Sequence, residues 1–192
     1  MNRRNALGAL LGLGLAGCNA TVVALPEPET EGTFIIPGAP YVPTRPEIME
    51  TMLLLGEIGP RDRVYDLGCG DGRLVIAACK RYGARGLGVD LDGALVAQAQ
   101  AQAQWEGVAD RARFAAVDLF DLDLRPASVV MLYLSVEINL KLRPKLLEQL
   151  APGSRIVSNR FDMAAVWPPE RTVRKDDTPV HLWRIPARRA GI

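Results

Sequence analysis

The sequence predicts an α/β fold: a mostly parallel sheet with helices on both faces and an antiparallel hairpin at its C-terminal end. Three observations carry this. Between residues 46 and 159, short strand-like runs alternate with longer stretches at helical spacing, the pattern of a parallel sheet covered on both sides. A glycine-dense turn, Gly68-Cys69-Gly70-Asp71-Gly72, separates the first of these runs from the helix after it. Beyond residue 160, the strand-like runs 171–175 and 180–185 are separated by only Asp176-Asp177-Thr178-Pro179. That gap cannot hold a crossover helix, so the two runs pair as a hairpin.

The elements follow in order. Arg45-Pro46-Glu47 precede Ile48, Met49, Met52, Leu53 and Leu55 at helical spacing. Proline suits a first helical turn, where its missing N–H would have had no partner. A helix is predicted over 46–56, ended by Gly56 or Gly59. Residues 63–67 form a strand that runs into the glycine turn, after which Leu74, Val75, Ala78 and Cys79 restore helical spacing. Residues 85–90 read as a second strand, 112–117 as a third and 128–134 as a fourth. Between the second and third lies 93–105, rich in Ala and Gln. Its two-residue alternation mimics a strand, but both residues favour helix. A helix over 137–150 turns Leu140, Leu142, Leu146, Leu147 and Leu150 mostly inward, Gly153 makes a turn, and 155–159 is a fifth strand.

The chain has 192 residues, 48% hydrophobic and 23% charged, enough for one domain with a real core. Its 23 Lys plus Arg against 22 Asp plus Glu leave a net charge of +1, so no nucleic-acid partner is expected. Three cysteines, Cys18, Cys69 and Cys79, make no disulfide framework, and with the one histidine, His181, no metal site is expected. Cys69 and Cys79 read as packing residues, and His181, between Val180 and Leu182, as structural. Trp167, next to Pro168-Pro169, either anchors its loop or lines a substrate mouth.

The amino terminus reads as a leader. MNRRN is followed by twelve small or apolar residues, 6–17, too few to span a bilayer. Leu15-Ala16-Gly17-Cys18 resembles a bacterial lipoprotein box, which implies a lipid on Cys18 and a membrane-anchored protein facing the periplasm. A start codon placed too far upstream would instead leave the protein cytoplasmic. The expected organisation is therefore a signal segment 1–17, a proline- and glutamate-rich tether 18–40, a domain 41–187 and a tail 188–192.

The glycine turn carries the chemistry. Its glycines at 68, 70 and 72 lie two apart, closer than in the dinucleotide fingerprint, and Asp71-Gly72-Arg73 replaces a P-loop ending. Asp66 and Asp71 beside the turn would repel a pyrophosphate and suit a ligand that bears an ammonium group.

With Asp90 24 residues after Asp66, and Asp118 after the third strand, the segment resembles motif I and its partners in class I S-adenosylmethionine-dependent methyltransferases. The resemblance spans about 41–185 and implies a Rossmann-like sheet of seven strands and S-adenosyl-L-methionine as cofactor. It implies Asp66 near the methionine part, Gly68, Gly70 and Gly72 under the cofactor, Asp90 on the ribose hydroxyls and Asp118 facing the adenine amino group. Leu91 and Leu119, next to those acids, complete the expected binding set.

Tyr41-Val42-Pro43-Thr44, Asp71-Gly72-Arg73, Leu132-Tyr133-Leu134 and Arg155-Ile156-Val157-Ser158 resemble, more specifically, a small family of protein-lysine methyltransferases. Its eukaryotic members act on the c-type ring protein of ATP synthase and on the adenine nucleotide carrier. Asp90 stands where those members have glutamate. The resemblance implies a protein substrate. Tyr133 either orients the acceptor amine or packs in the core at the strand end, and Tyr41 either closes over the cofactor or packs on the surface of the domain. The segment after the fourth strand lacks the Asn/Asp-Pro-Pro-Tyr/Phe platform of base-modifying enzymes. A small-molecule acceptor and a non-catalytic, membrane-anchored cofactor-binding module stay open beside the lysine reading. The sequence does not indicate an oligomeric state.

Overall fold

The structure is a computed structural model that describes residues 41–187. The leader, Cys18, the 18–40 tether and the 188–192 tail lie outside the described residues. In chain order the elements are α1 (Pro46–Leu55), β1 (Arg63–Leu67), α2 (Arg73–Tyr82), β2 (Arg85–Asp90), α3 (Gly93–Trp105), β3 (Ala112–Ala116), β4 (Val129–Leu132), α4 (Val136–Gln149), β5 (Arg155–Asn159), a 3-10 turn (Ala164–Val166), β6 (Arg171–Lys175) and β7 (Thr178–Arg184). The strands make one sheet in the order β3-β2-β1-β4-β5-β7-β6. The first five are parallel, and β7 runs antiparallel between β5 and β6. This is the predicted Rossmann-like seven-strand arrangement.

Local chemistry explains the elements. Pro46 opens α1, which buries Ile48, Met49, Met52, Leu53 and Leu55. The Ala/Gln run is helical, as its propensities demand: Asp92 caps it by accepting from the N–H groups of Ala94 and Leu95, and only Val96, Ala99 and Ala103 are buried. Ser135 caps α4 by accepting from Ile138 N. Two boundaries differ from expectation by more than one residue. β4 covers only Val129–Leu132, because Tyr133 to Ser135 leave the ladder to reach the start of α4. β7 begins at Thr178, so the hairpin turn is Asp176-Asp177 alone, with Asp176 at φ 51°. Pro179 is tolerated inside β7 because its carbonyl, not the missing N–H, is used, accepting from Arg160 N at 2.8 Å.

The two faces are covered unequally. α1 and α2 pack on Val64, Val129, Met131, Val157 and Val180, and α2 and α3 pack on Ala112 and Phe114. On the opposite face α4 places Leu142, Leu146 and Leu150 against Val130, Leu132, Ile156 and Trp183. The 117–128 connection from β3 to β4, which holds no helix, adds Leu124 and Ala127 there. At the amino ends of the strands Asp62 and Arg155 form an ion pair in which each side chain is only 13% exposed. Ser128 Oγ donates to Asp62 Oδ1 at 2.7 Å, and Arg155 Nη1 donates to the carbonyls of Gly56 and Glu57, both at 2.9 Å. This network ties the end of α1 to β1, β4 and β5. Among the described residues no helix is long and apolar enough to cross a membrane.

Candidate functional site

β2 lies on one side of β1 and β4 on the other, so the strand order reverses direction at β1. In open α/β sheets a ligand crevice forms outside the carboxyl ends of the strands at such a point. Asp66, the penultimate residue of β1, stands at its edge and is buried. No described residue donates a hydrogen bond to its carboxylate. Burial, reinforced by the negative charges of Asp90 and Asp71, holds this carboxyl well above the ordinary range. Such a group stores a preference for a positive partner.

The glycine turn is sewn to β2. Gly68 N and Cys69 N both donate to Val89 O, at 2.8 and 2.9 Å. Gly70 N donates to Asp90 Oδ2 at 2.8 Å, and Asp92 N donates to Asp90 Oδ1 at 3.0 Å. Asp90 is thus a brace for the turn as well as an expected ligand. A carboxylate has about four acceptor directions, so two stay open for a pair of hydroxyls.

The third partner of the turn comes from before α1. Gly70 has φ 53°, and a Cβ there would lie 2.3 Å from Tyr41 Cε2. The Tyr41 ring therefore lies directly on the glycine, in space that only glycine leaves free. Asp71 pairs with Arg73 at 2.6 Å, and Arg73 Nη1 donates to Thr44 O at 3.1 Å. Burial pushes the Asp71 carboxyl up, but its bonds from Arg73 outweigh this and hold it below the ordinary value. Desolvation, then the charge of Asp71, raises the Tyr41 hydroxyl above its usual value. Asp71-Gly72-Arg73 and Tyr41 to Thr44 thus form one clasp. Cys69 is buried, and desolvation followed by the charge of Asp66 pushes its thiol far up, so it packs and does not attack.

The remaining expected residues follow the carboxyl ends of β2, β3 and β4. Asp118 follows β3, and its Oδ1 accepts from Phe120 N at 2.8 Å in a local turn. Leu119 is half-buried against the core, whereas Leu91 is 53% exposed beyond β2. Tyr133 follows β4 and stacks on Phe161, with ring centroids 6.3 Å apart. Phe161 is a residue that sequence reasoning missed. Asn139 Nδ2 and Ser158 Oγ both donate to its carbonyl, at 3.1 and 2.6 Å, and fix the loop under Tyr133. Its position three residues after the singled-out Ser158 was the available signal. Trp167 anchors its loop: Trp183 Nε1 donates to Trp167 O at 2.8 Å. His181 is structural, its Nδ1 paired with Thr172 Oγ1 at 2.9 Å.

A buried carboxylate to which no described residue donates, beside a turn braced by a second carboxylate with open acceptor directions, fits a ligand that carries both an ammonium group and a diol. The comparisons with known proteins agree. The family described as ANTKMT methyltransferase domain matches residues 66–171, a span that begins at Asp66. The protein-lysine N-methyltransferase of Saccharolobus islandicus (strain REY15A) is 36% identical over 143 residues, covering 74% of this chain and 88% of that protein. The adenine nucleotide translocase lysine N-methyltransferase of Mus musculus is 32% identical over 134 residues, covering 70% of this chain and 58% of that one. Among solved structures, an RNA methyltransferase from Salinibacter ruber in complex with S-adenosyl-L-homocysteine is 46% identical with a TM-score of 0.75, covering 77% of this chain and 95% of that one.

Proposed function

The chain belongs to the ANTKMT methyltransferase domain family and is by that membership an S-adenosylmethionine-dependent methyltransferase, and on that premise we propose that its acceptor is the side-chain amine of a protein lysine. The observation that carries this reading is the similarity to enzymes named as lysine methyltransferases across most of the chain. The site chemistry supports it. Asp66, Asp71, Asp90 and Asp118 all lie at the carboxyl edge of the sheet, a setting that draws a cation and repels a polyanion.

The cofactor supplies a methyl group on a positively charged sulfur. Asp66 would hold its ammonium group, the open directions of Asp90 its ribose hydroxyls, and Asp118 its adenine amino group between Leu91 and Leu119. The clasp of Tyr41 to Thr44 would cover it and exclude water. A lysine must attack as the neutral amine, and withdrawal from water favours that form. Tyr133, backed by Phe161, would orient the nitrogen. The bound cofactor would offer its methyl carbon to that neutral nitrogen with sulfur as the leaving group, and the open mouth beside Tyr133 would let the surplus proton on nitrogen leave to water. Alignment and desolvation, with no covalent enzyme intermediate, account for the catalysis.

Radiolabel transfer into membrane, soluble and RNA fractions of a strain lacking the gene tests the acceptor. Protein label should appear, trace to lysine by mass spectrometry and vanish with Asp66→Ala. Label confined to RNA or to small metabolites overturns the lysine reading, and cofactor binding with no transfer at all identifies a non-catalytic module.

For location, we infer a lipid anchor at Cys18 with the domain facing the periplasm, supported by Leu15-Ala16-Gly17-Cys18 after a positive, apolar start. Cys18→Ser should move the protein out of the membrane fraction. A full-length wild type in the soluble cytoplasmic fraction overturns the anchor.

A further inference from the structure

The face that α4 leaves uncovered holds a second candidate site, at the opposite end of the strands from the crevice. The 117–128 connection supplies no helix over β1, β2 and β3, and Tyr65 and Leu87 remain only half-buried there. Below them opens a cleft of about 360 Å³ lined by Arg63, Tyr65, Arg85, Leu87, Arg111 and Arg113. The register explains the gathering. Arg63 stands opposite Arg85, Tyr65 opposite Leu87, and Leu87 opposite Arg113. Side chains alternate along a strand, so these residues share one face.

The cleft is short of acids. Asp110 is the one acid among the described residues that line it, which leaves four arginines against one aspartate, a local charge of +3 in a chain of net charge +1. Asp110 lies 3.7 Å from Arg111 Nε, beyond hydrogen-bond length, and that buried nitrogen has no hydrogen-bond partner among the described residues. The Arg111 side chain thus has only this long ion pair, and the side chains of Arg63, Arg85 and Arg113 make no hydrogen bond or ion pair to a described residue. Guanidinium groups match carboxylates in paired, parallel hydrogen bonds, and four held on one wall ask for an anion.

We propose that this cleft docks an acidic stretch of the same polypeptide whose lysine enters the crevice, an inference that rests on the protein-lysine reading. The charge pattern selects this occupant. One end of the sheet presents Asp66, Asp71, Asp90 and Asp118, and the other presents the arginines. A nucleic acid running from the cleft to the crevice would bring phosphates against carboxylates. A polypeptide with a lysine and a separate acidic run satisfies both ends. β1 is five residues long, which sets the two ends roughly 13–17 Å apart. An extended chain covers that with about five residues, so the acidic run lies at least that far from the lysine. Tyr65 and Leu87 form an apolar floor for the side-chain stems.

The test uses a fluorescent hepta-glutamate peptide and a fluorescent oligo-uridine as probes, read by anisotropy at low and raised salt on the full chain. The expected result is salt-sensitive binding of hepta-glutamate that Arg85→Glu with Arg113→Glu weakens about tenfold or more. Both side chains are exposed, and calorimetry with S-adenosyl-L-homocysteine should give the same affinity for variant and wild type, which reports an intact fold. Equal hepta-glutamate binding by both proteins, or binding of oligo-uridine alone, overturns the proposal. A lysine peptide with a distant acidic run should show a lower KM than its glutamine counterpart at equal kcat, and the variant should erase that difference. Lysine transfer that ignores the acidic run removes the docking and keeps the acceptor. Docking of hepta-glutamate with no lysine transfer removes the acceptor reading and keeps the acidic partner.

Discussion

Asp66 is a carboxyl group that burial and two neighbouring acids hold above its ordinary value. Because its folded pKa exceeds its unfolded one, the fold is most favoured below the unfolded pKa and loses stability as pH rises through the folded value. Asp66→Asn should therefore raise the melting temperature of the ligand-free protein at neutral pH and flatten its pH dependence. Calorimetry should show the opposite effect on ligand: wild type gains affinity for S-adenosyl-L-homocysteine as pH rises through that range, and the variant binds weakly throughout. Asp90 accepts from Gly70 N and Asp92 N, and in the proposed function its open directions take the ribose hydroxyls. Charge-assisted bonds contribute roughly 1.5–3 kcal/mol each, so Asp90→Ala should weaken the same ligand about tenfold or more. Unchanged affinity would reduce Asp90 to a turn residue. Both acids were legible because each stands near the carboxyl end of a strand, Asp66 just before the glycines and Asp90 on the next strand. Phe161 was not, because an aromatic in an irregular loop carries no period that tells where its ring stacks.

At the scale of elements, the link between the segment before α1 and the glycine turn is a packing event with a single weak point. Gly70→Ala places a methyl group in the Tyr41 ring on a backbone with positive φ. The backbone term alone costs roughly 1–2 kcal/mol, and the ring must leave the turn. The double variant with Tyr41→Ala should lose less than the sum of the single losses, because the clash is gone. Additive melting temperatures would show that the ring and the turn are independent. The motif residues Tyr41 to Thr44 and Asp71 to Arg73 stood out in the sequence, but 29 residues separate Thr44 from the Arg73 that holds it. Only closure of α1 onto the sheet brings them together. The end of β4 was overestimated because Tyr133 and Leu134 are as apolar and strand-favouring as the residues before them. What stops the strand is Ser135 capping α4, a choice made by the helix.

For the molecule as a whole, the network at the amino ends of the strands is a structural tie opposite the crevice. Arg155→Met would leave Asp62 as a buried charge without its cation, which costs about 3 kcal/mol and roughly 6–12 °C in melting temperature. A shift below a degree would mean that water replaces the arginine at no cost. The layout of strands and helices, the glycine turn and the acids at the ends of β1 and β2 were determined by the sequence itself. They rest on periodicity, propensity and turn chemistry, which act over a few residues at a time. The tertiary structure alone decided how the faces are shared. Nothing local announces that α4 and a helix-free connection must cover a face where a longer crossover would cover more. Nothing local announces that Arg63, Arg85, Arg111 and Arg113, from three strands and a loop, stand on one wall. Charge is read along the chain, but its field depends on register, and register is set by the whole sheet.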